Sequence, residues 1–322
     1  MKNKKKILIT GGSGYIGSCL ANFFSKKFKV YTLDKVNKNF FLNSNIKHIK
    51  CNLNFYNKTD KAINAIKPHA IIHLAAQSTI DKIDKLRKNY FRDNVSSTKV
   101  LLKVVKKHNI KKFIFASTAA VYKSSDRSLS ENSQLKSNNS YGKNKLKCEK
   151  LIKKILNKSN CKYCILRFFN VSSSLRSFKI GEFHNPETHL IPIIINSIIN
   201  SKKLNIYGND YKTKDGTCIR DYIHIYDILR AIDKEIIYLN KKKSDIFNLG
   251  SGRSYTVLEI INKCSDILKK NAKINIRKRR KYDVSKLACK ISKAKNKLGW
   301  YPKKSKLDDI IKDEIWWNKY LR

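Results

Sequence analysis

The amino-acid sequence predicts an α/β fold in which a doubly wound parallel sheet is followed by a smaller C-terminal α/β domain. In the first half, short apolar runs alternate with longer segments of helical periodicity, a rhythm typical of β-α-β units. After about residue 170 this rhythm gives way to turn-rich stretches and shorter helices. We therefore expect one domain over residues 1–170 and a second over residues 171–322, with a segment near residues 220–250 returning to the first.

The first half contains six candidate strands and four candidate helices. Each strand is a run of mainly apolar residues bounded by polar or turn-forming ones. In the third helix, Leu101, Val104 and Val105 recur at helical spacing while lysines face away. The predicted strands are Lys6–Thr10, Lys29–Asp34, Ile46–Cys51, Ala70–Leu74, Phe113–Ser117 and Tyr163–Arg167, and the predicted helices are Gly14–Lys26, Thr59–Ile66, Val95–His108 and Ser140–Asn157.

The chain is strongly basic, with 70 Lys and Arg against 24 Asp and Glu and a formal charge of +46. Such a charge is typical of nucleic-acid binding when it clusters on one face. Here the lysines are spread over nearly every segment, and Pro and Gly are scarce, which favours compositional drift over a surface selected to bind polyanions. We expect no specific nucleic-acid partner. We also expect no membrane insertion, because the longest apolar run, near residues 190–199, is too short to span a bilayer.

The cysteines indicate a reducing compartment rather than a disulfide framework or a metal site. Only Cys161 and Cys164 form a C-x-x-C pair, and no second pair or histidine pair completes a zinc set. We therefore predict small buried core residues and no metal centre. The first apolar stretch ends at glycines after residue 9, so we expect no signal peptide and a cytoplasmic location.

A glycine-rich turn follows the first predicted strand and opens the first predicted helix. Gly11, Gly14 and Gly17 allow a tight turn and the close approach of backbone N–H groups to a pyrophosphate. The next strand ends at Asp34, where a carboxylate binds an adenosine ribose and repels a 2′-phosphate. The sequence therefore predicts a Rossmann-type domain that binds NAD rather than NADP.

Tyr141 and Lys145 form a Y-x-x-x-K pair at the start of a predicted helix, where their spacing places both side chains on one face. A free tyrosine has a pKa of about 10 and is a poor base at neutral pH. A neighbouring ammonium and the positive charge of a nicotinamide favour the phenolate, so Tyr141 can exchange a proton with a substrate hydroxyl. Thr118 ends the preceding strand and can hydrogen-bond the same hydroxyl.

These motifs occur in an order that resembles the extended short-chain dehydrogenases/reductases, and within them the UDP-hexose 4-epimerase family. The resemblance extends from about residue 7 to residue 300 and is most specific over residues 215–224 (DGTCIRDYIH). One departure is Asn52, which stands where the family usually has Asp near the adenine. The other matching blocks are residues 11–18, 72–76, 93–95, 117–122, 141–145, 166–170, 184–192, 207–211 and 247–252.

The resemblance implies tightly held NAD⁺ that is not consumed. Tyr141 would remove the proton of the sugar 4-hydroxyl while hydride passes from C4 to the nicotinamide; the 4-keto sugar would then turn over and take the hydride back on its other face. Lys145 would tune Tyr141 and hold the nicotinamide ribose, and Thr118 would orient the hydroxyl. The implied cofactor-binding residues are Gly11, Gly14, Tyr15, Ile16, Gly17, Asp34, Asn52, Leu53, Leu74, Ala75, Ala76, Asn94, Tyr141, Lys145 and Phe169.

The resemblance also implies UDP-sugar substrates, held mainly by the second domain. Arginine forks suit the UDP diphosphate because they form bidentate, charge-assisted hydrogen bonds. Asn170, Arg220 and Arg280 are expected at the phosphates and ribose side, and Leu190 and Tyr207 beside the uracil. The full implied set is Thr118, Asn170, His189, Leu190, Tyr207, Arg220, Arg280, Asp283 and Leu287, with Asp283 on the uridine ribose.

Leu287 falls at the position that resembles the family's sugar-pocket gatekeeper. A tyrosine there restricts the pocket to unsubstituted hexoses, whereas a smaller residue leaves room for an N-acetyl group. Leucine lacks the bulk of the ring. We therefore expect UDP-GlcNAc and UDP-GalNAc to be accepted alongside UDP-glucose and UDP-galactose.

The sequence disfavours two alternative functions and leaves two others open. Nucleotide-sugar 4,6-dehydratases and UDP-glucuronate decarboxylases need an acid directly after the Thr, whereas Thr118 is followed by two alanines and a valine, which argues against both. A UDP-glucuronate 4-epimerase stays open because the chain has many lysines to meet a C6 carboxylate. A non-catalytic NAD-binding sensor also stays open, although Thr118, Tyr141 and Lys145 together favour an enzyme. The resemblance further implies a homodimer built from helices near residues 95–108 and 140–157.

Overall fold

The computed structural model describes residues 4–36, 43–78, 87–184, 186–241, 243–280 and 283–321. Their strands are β1 (Lys6–Thr10), β2 (Lys29–Asp34), β3 (Lys47–Lys50), β4 (Ala70–His73), β5 (Lys112–Thr118), β6 (Lys162–Phe168), β7 (Asn170–Ser172), β8 (Lys203–Tyr207), β9 (Ile219–Arg220), β10 (Tyr222–His224), β11 (Asp245–Leu249), β12 (Tyr255–Thr256), β13 (Lys273–Arg277) and β14 (Lys286–Leu287). Their α-helices are α1 (Tyr15–Ser25), α2 (Tyr56–Ile66), α3 (Arg87–Phe91), α4 (Ser97–Lys107), α5 (Ser140–Leu156), α6 (Leu190–Ile199), α7 (Ile225–Lys241), α8 (Val257–Leu268), α9 (Ser292–Leu298) and α10 (Leu307–Tyr320).

Seven strands form the main sheet, in the order β11-β6-β5-β4-β1-β2-β3. β1 pairs in parallel with β2 on one side and β4 on the other, with Ile7 opposite both Val30 and Ala70. The chain order therefore runs outward from β1 in both directions, which makes the sheet doubly wound. This confirms the predicted Rossmann-type α/β fold. In such sheets ligands bind at the carboxyl ends of the strands, where the order reverses.

The central strands form because their residues suit burial on both faces. Ile7, Leu8 and Ile9 of β1 and Ile71 of β4 have no solvent exposure, as expected for a parallel sheet covered by helices. The predicted bounds of β1 and β2 are confirmed residue for residue, and those of β3 to β6 within one residue at either end. The positions of these six strands could therefore be predicted from local apolar runs.

The helix predicted over Val95–His108 is wrong at its N-terminal end. The α-helix α4 begins at Ser97 and is preceded by a π-helix over Arg92–Ser96. Side-chain hydroxyls bond back into this turn, because Ser97 Oγ donates to Asp93 O at 2.5 Å and Thr98 Oγ1 donates to Asn94 O at 2.6 Å. Such π segments are frequent at functional sites.

Strand β11 was not predicted, since its residues lie late in the turn-rich region of the chain.

Backbone contacts divide the chain into two compact units. The first unit comprises Met1–Val121, Leu135–Arg167 and Ala231–Phe247, and the second comprises Tyr122–Gln134, Phe168–Arg230 and Asn248–Arg322. The core of the first unit is an apolar cluster that includes Leu8, Ile71, Leu101, Phe113 and Ile152. The eight cysteines are buried, as predicted, and none of them forms a disulfide.

The second unit has its own apolar core. Ile194 and Ile195 of α6 pack in one cluster with Ile260 of α8, Ile310 of α10 and Leu204 of β8. α6 tolerates Pro192 because that residue lies in the first turn, where the missing N–H would have no helical partner. No described helix combines the length and the apolar content that a membrane span requires.

Candidate active site

The loop after β1 has a backbone conformation that suits an anionic group. Gly11 has a φ of +76°, a left-handed conformation that favours glycine. A Cβ on Gly11 would lie 2.6 Å from Ala75 N, and one on Gly17 would lie 2.0 Å from Gly11 O. Gly14 precedes α1 without a side-chain cap, and Ser13 Oγ is buried with no hydrogen-bond partner in the described part of the chain. A phosphate fits here because the first N–H groups of α1 and the Ser13 hydroxyl are available to it.

A cavity of about 150 Å³ lies beside this loop, with Asp34 on its wall. Asp34 Oδ2 accepts a hydrogen bond from Ser13 N at 3.1 Å, and Oδ1 accepts one from Val36 N at 3.3 Å. Each oxygen retains acceptor capacity for a ribose hydroxyl. Tyr15 and Ile16 lie half-buried in the first turn of α1. The predicted cofactor residues that line the cavity are Gly11, Gly14, Asp34, Asn52, Leu53, Leu74, Ala75 and Ala76.

Asn52 and Asn54 share one wall of this cavity. Asn52 Oδ1 accepts hydrogen bonds from Asn54 N at 3.0 Å and from Asn54 Nδ2 at 3.1 Å. Asn54 Oδ1 is buried and has no partner among the residues described. Asn54 Oδ1 is therefore an acceptor on this wall that a ligand could use. Sequence reasoning missed Asn54 because asparagine is so abundant in the chain.

The loop after β4 is fixed by the π-helix. Asn94 is 2 % exposed; its Oδ1 accepts from Gln77 N at 2.7 Å and its Nδ2 donates to Gln77 O at 3.0 Å. Asp93 accepts from Lys35 Nζ at 2.6 Å and from Gln77 Nε2 at 3.3 Å. Asn94 therefore holds the cavity wall in place rather than lining it. Lys35, Gln77 and Asp93 line the cavity and were not predicted, because a single lysine or glutamine in this composition carries no signal.

The end of β5 meets the start of α5. Thr118 ends β5, and its Oγ1 accepts from Ala120 N at 3.2 Å, so the hydroxyl proton stays free to donate. Gly142 packs on the same turn so closely that a Cβ would lie 2.3 Å from Ala120 O. Lys145 follows Tyr141 by one helical turn, with its Nζ 5.9 Å from the centre of the Tyr141 ring. The structure thus brings the three predicted catalytic residues to the turn after β5.

Burial changes the proton affinity of both members of the Y-x-x-x-K pair. Lys145 is 3 % exposed and donates to Ala116 O at 2.7 Å; burial lowers its pKa to about 8, against the opposing charges of Cys148 and Glu149. Burial also raises the pKa of Tyr141 above its ordinary value. The phenol is therefore neutral at pH 7 here, and nearby positive charge is what would convert it to a phenolate.

A buried ion pair lies behind this site. Arg167 of β6 donates to Glu149 of α5 through Nε at 3.0 Å and Nη2 at 2.7 Å, and Ser117 Oγ donates to Glu149 Oε1 at 2.5 Å. All three side chains are at most 3 % exposed. Each charge is paired and hydrogen-bonded, as burial requires. The network ties α5, and with it Tyr141 and Lys145, to β5 and β6.

In the second unit, Asn170 begins β7 and pairs with Tyr222 of β10. Asn170 N donates to Asp221 O at 3.1 Å, whereas Asn170 Nδ2 is buried and has no hydrogen-bond partner in the described ranges. A buried donor of this kind is costly unless a ligand satisfies it. Phe169, which precedes it, is 4 % exposed, and its N–H donates to Leu249 O at 3.0 Å.

Three predicted substrate residues meet on the sheet of β12, β9 and β14. Arg220 of β9 contacts the Asp283 carboxylate through Nη2 and donates to Ile219 O at 2.8 Å through Nη1. Leu287 of β14 is the parallel register partner of Arg220. Asp221 N donates to Leu287 O at 3.1 Å, which fixes the two strands against each other. Leu287 is therefore adjacent to the arginine expected at the diphosphate.

Two other predicted residues stack on each other. The Arg280 guanidinium lies 4.2 Å from the centre of the Tyr207 ring, a cation–π contact. Its neighbour Arg279 lies 4.1 Å from the Tyr211 ring centre and donates to Asp210 Oδ1 through Nε at 2.5 Å. Sequence reasoning missed Arg279, because a run of basic residues does not reveal which member faces which aromatic ring.

Leu190 is the first residue of α6, and His189 precedes it as the N-cap. His189 Nδ1 lies 2.6 Å from Glu182 Oε1 and 3.2 Å from Glu187 Oε1. Although burial lowers its pKa, the hydrogen bonds to Glu182 and Glu187 raise the pKa of His189 to about 10. The structure therefore places His189 among carboxylates of its own loop, apart from the contacts that join Arg220 to Asp283 and Arg280 to Tyr207.

Comparison with known proteins gives consistent results. The chain is 34 % identical to the UDP-glucose 4-epimerase of Halalkalibacterium halodurans, over 97 % of this chain and 95 % of the relative. Its fold matches the Bifidobacterium longum UDP-glucose 4-epimerase in complex with NAD⁺ and UDP, at a TM-score of 0.91 and 27 % identity over 98 % of both chains. It also matches the UDP-Glc/GlcNAc 4-epimerase of Campylobacter jejuni, at a TM-score of 0.83 and 32 % identity over 98 % of this chain and 99 % of that one.

A family model covers residues 7–250, from the start of β1 past the end of β11. That span includes the glycine loop, Asp34, Thr118 and the Tyr141–Lys145 pair, whose geometry is described above. The resemblance drawn from the motifs is thereby confirmed at the level of the family. The chain belongs to the NAD dependent epimerase/dehydratase family.

Proposed function

We propose that this chain is an NAD-dependent UDP-hexose 4-epimerase that interconverts UDP-glucose and UDP-galactose through a 4-keto intermediate. The observation that carries the proposal is the arrangement of Thr118, Tyr141 and Lys145 at the turn after β5. It occurs in a chain that is similar over nearly its whole length to proteins named UDP-glucose 4-epimerases.

The first unit supplies the residues that would hold NAD. The glycine loop and the unpaired Ser13 hydroxyl suit the pyrophosphate, and Asp34 suits the adenosine ribose. The carboxylate of Asp34 also disfavours the extra phosphate of NADP by like-charge repulsion. When bound, NAD⁺ supplies a reversible hydride acceptor.

Proton transfer would be carried out by the chain's own side chains. Tyr141 takes the proton of the sugar 4-hydroxyl and returns it, while Thr118 donates a hydrogen bond that orients the same oxygen. The Lys145 ammonium stabilises the phenolate that forms on Tyr141, because burial otherwise raises the pKa of that phenol. Gly142 holds the start of α5 against the turn after β5, so that these groups stay in position.

The second unit supplies groups that suit a UDP moiety. Arg220 offers a guanidinium fork for the diphosphate, and its partner Asp283 offers an acceptor for a ribose hydroxyl. Arg280, stacked on Tyr207, offers a second cation beside an aromatic face that can pack on uracil. The unpaired Nδ2 of Asn170 supports a further contact to a phosphate oxygen.

We also propose that the N-acetyl sugars are substrates. Leu287 is half-buried beside Arg220 and is smaller than a tyrosine, so it leaves space next to the expected position of the diphosphate. The similarity to the Campylobacter jejuni UDP-Glc/GlcNAc 4-epimerase supports this wider range.

A proton NMR time course on the purified protein tests the function. UDP-glucose and UDP-GlcNAc are supplied separately, without and then with added NAD⁺, beside a Tyr141→Phe control. Conversion of both sugars, lost in the control, is the expected result. Conversion of UDP-glucose alone would keep the mechanism and reject the wider range.

Failure to convert either sugar, with NAD demonstrably bound, would reject UDP-hexose epimerisation. The same sample would then be given UDP-glucuronate. Turnover of that sugar would identify a UDP-glucuronate 4-epimerase, and no turnover would leave a non-catalytic NAD-binding sensor.

We further propose a homodimer and a cytoplasmic location. Leu146 of α5 is half-buried and supports a contact between helices of two copies, whereas Leu151 and Ile155 pack partly, and Val104 fully, against the core of their own unit. The lack of disulfides among the eight cysteines supports a reducing compartment. Light scattering on the purified chain tests the dimer, and a measured mass near 37 kDa would reject it.

A further inference from the structure

One loop of the second unit gathers two glutamates and two histidines. Their nearest ligand atoms all lie within 4.8 Å of one another. His189 Nδ1 lies 2.6 Å from Glu182 Oε1 and 3.2 Å from Glu187 Oε1, and His184 Nδ1 lies 3.5 Å from Glu182 Oε1. We call Glu182, His184, Glu187 and His189 the Glu/His cluster. Neither the catalytic residues nor the cofactor residues proposed above need it.

Two buried atoms of the cluster lack a hydrogen-bond partner among the described residues. They are Glu182 Oε2 and His184 Nδ1. The Glu182 side chain is only 1 % exposed, so water does not easily satisfy its second oxygen. Buried polar atoms without partners are rare in folded proteins, because each loses its hydration without compensation. The cluster therefore has unused ligand capacity at its centre.

The charge of this region points to a cation. Glu182 is 3 % exposed, and its carboxylate lies in one group with that of Glu187 and the imidazoles of His184 and His189. Within the described residues, the ion-pair partners of Glu182 and Glu187 are imidazoles, in a chain with 70 Lys and Arg. Trp317 Nε1 of α10 donates to the backbone oxygen of Glu182 at 2.6 Å, which holds this part of the loop in place. Repulsion between grouped carboxylates is relieved when a positive ion lies among them.

We propose that the Glu/His cluster binds one divalent transition-metal ion of the zinc type. Two imidazole nitrogens and two carboxylate oxygens make a four-ligand set that Zn²⁺ accepts, whereas Mg²⁺ and Ca²⁺ prefer oxygen ligands alone. Around a tetrahedral zinc, with bonds of about 2.0–2.1 Å, ligand atoms lie about 3.3 Å apart. The separations of 3.2 and 3.5 Å match this spacing, and the 2.6 Å contact needs only a small expansion.

Such an ion would cross-link the loop before α6, which the Trp317 hydrogen bond already joins to α10. All four ligands lie within residues 182–189, and Glu182 is anchored through Trp317. The ion would therefore act structurally. The inference does not rest on the proposed epimerase activity, because it concerns different residues and is tested by metal content.

The test is zinc binding to the full chain after dialysis against a chelator. We expect calorimetry with Zn²⁺ to give one ion per chain and a thermal midpoint that rises on loading, with no such binding of Mg²⁺. His184→Ala and His189→Ala should each weaken zinc binding at least tenfold, because each removes one of four ligands. The matched control is His108→Ala, since His108 Nε2 makes a comparable 2.7 Å contact with Asp60 Oδ1 in the first unit but belongs to no such cluster among the described residues.

A stoichiometry far below one ion per chain, or equal affinity in His184→Ala and the control, would overturn the proposal. If the cluster variants do not fold, Co²⁺ loaded into the unmodified chain decides the question. Intense visible bands without a near-ultraviolet thiolate band support tetrahedral nitrogen and oxygen ligands. A thiolate band would assign the ion to cysteines and overturn the proposal, and the weak bands of octahedral cobalt would do the same.

Discussion

Lys145 Nζ donates a 2.7 Å hydrogen bond to the backbone oxygen of Ala116, and this contact anchors the ammonium 5.9 Å from the centre of the Tyr141 ring. If the ammonium stabilises the phenolate, Lys145→Met should lower kcat by about 10²- to 10⁴-fold, the usual contribution of general acid–base catalysis. The measurement is the rate of UDP-glucose conversion at saturating substrate. The matched control is Lys143→Met, an exposed lysine on the same helical turn. Equal rates in the two variants would show that Lys145 has no special role.

The lowered pKa of Lys145, about 8, predicts the pH dependence of the reaction. Below this pH the side chain is an ammonium that favours the Tyr141 phenolate. Above it the neutral amine offers no such stabilisation, so kcat should fall as the pH rises through about 8. The measurement is kcat from pH 6 to pH 10 with saturating UDP-glucose. Lys145→Arg keeps its charge over this range, so any activity it retains should lack the falling limb. A wild-type rate that climbs steadily to pH 10 would contradict the assignment.

Gly142 packs the start of α5 against the turn after β5. A Cβ at this residue would lie 2.2 Å from Ser137 Oγ and 2.3 Å from Ala120 O, and the second atom is backbone that cannot rotate away. Gly142→Ala should lower the free energy of unfolding by about 1–3 kcal/mol, the usual cost of overpacking. It should also lower kcat by displacing Tyr141. Urea unfolding measures the first effect, and Lys143→Ala at the next, exposed position is the control. A variant as stable as that control would mean that the turn after β5 shifts at little cost to accommodate the added methyl group.

The glycine loop and the first strands could be predicted because their signals are local. The strand Lys6–Thr10 contains the apolar run Ile7–Ile9, and Gly11 has a left-handed φ that glycine adopts because it lacks a Cβ. The π-helix before α4 could not be predicted in this way. It depends on Asn94 bonding to the backbone of Gln77, which lies 17 residues earlier in the chain.

Other parts of the site depend on which of several similar residues the fold selects. Arg279 and Arg280 are neighbours in a basic run, yet one stacks on Tyr211 and the other on Tyr207. Which arginine meets which ring depends on the pairing of β8 with β13, and that pairing joins segments about seventy residues apart. Asn54 was missed for a related reason, since its unpaired oxygen is evident only once the neighbouring Asn52 is seen to be bonded.

The buried pair of Glu149 and Arg167 predicts a strongly asymmetric response to mutation. Glu149→Gln leaves the Arg167 charge buried without its counter-charge, so stability should fall by about 3–5 kcal/mol. The double variant Glu149→Leu with Arg167→Met removes both charges and should recover much of that loss, because neither desolvated ion remains. Urea unfolding of the three proteins makes the comparison. A double variant less stable than Glu149→Gln would show that the pair stabilises the fold beyond mutual neutralisation.

Leu287 predicts how substrate range would change with one side chain. It lies in register with Arg220, so a larger residue at this position would take space beside the proposed diphosphate site. Leu287→Tyr should lower kcat/KM for UDP-GlcNAc by roughly 10- to 200-fold, the discrimination that a hydrophobic pocket usually provides, while UDP-glucose conversion is largely kept. Leu287→Met conserves volume and should convert both sugars like the unmodified chain. NMR time courses with each sugar give the ratio. An equal loss on both sugars in Leu287→Tyr would place Leu287 away from the N-acetyl group and reject its role as gatekeeper.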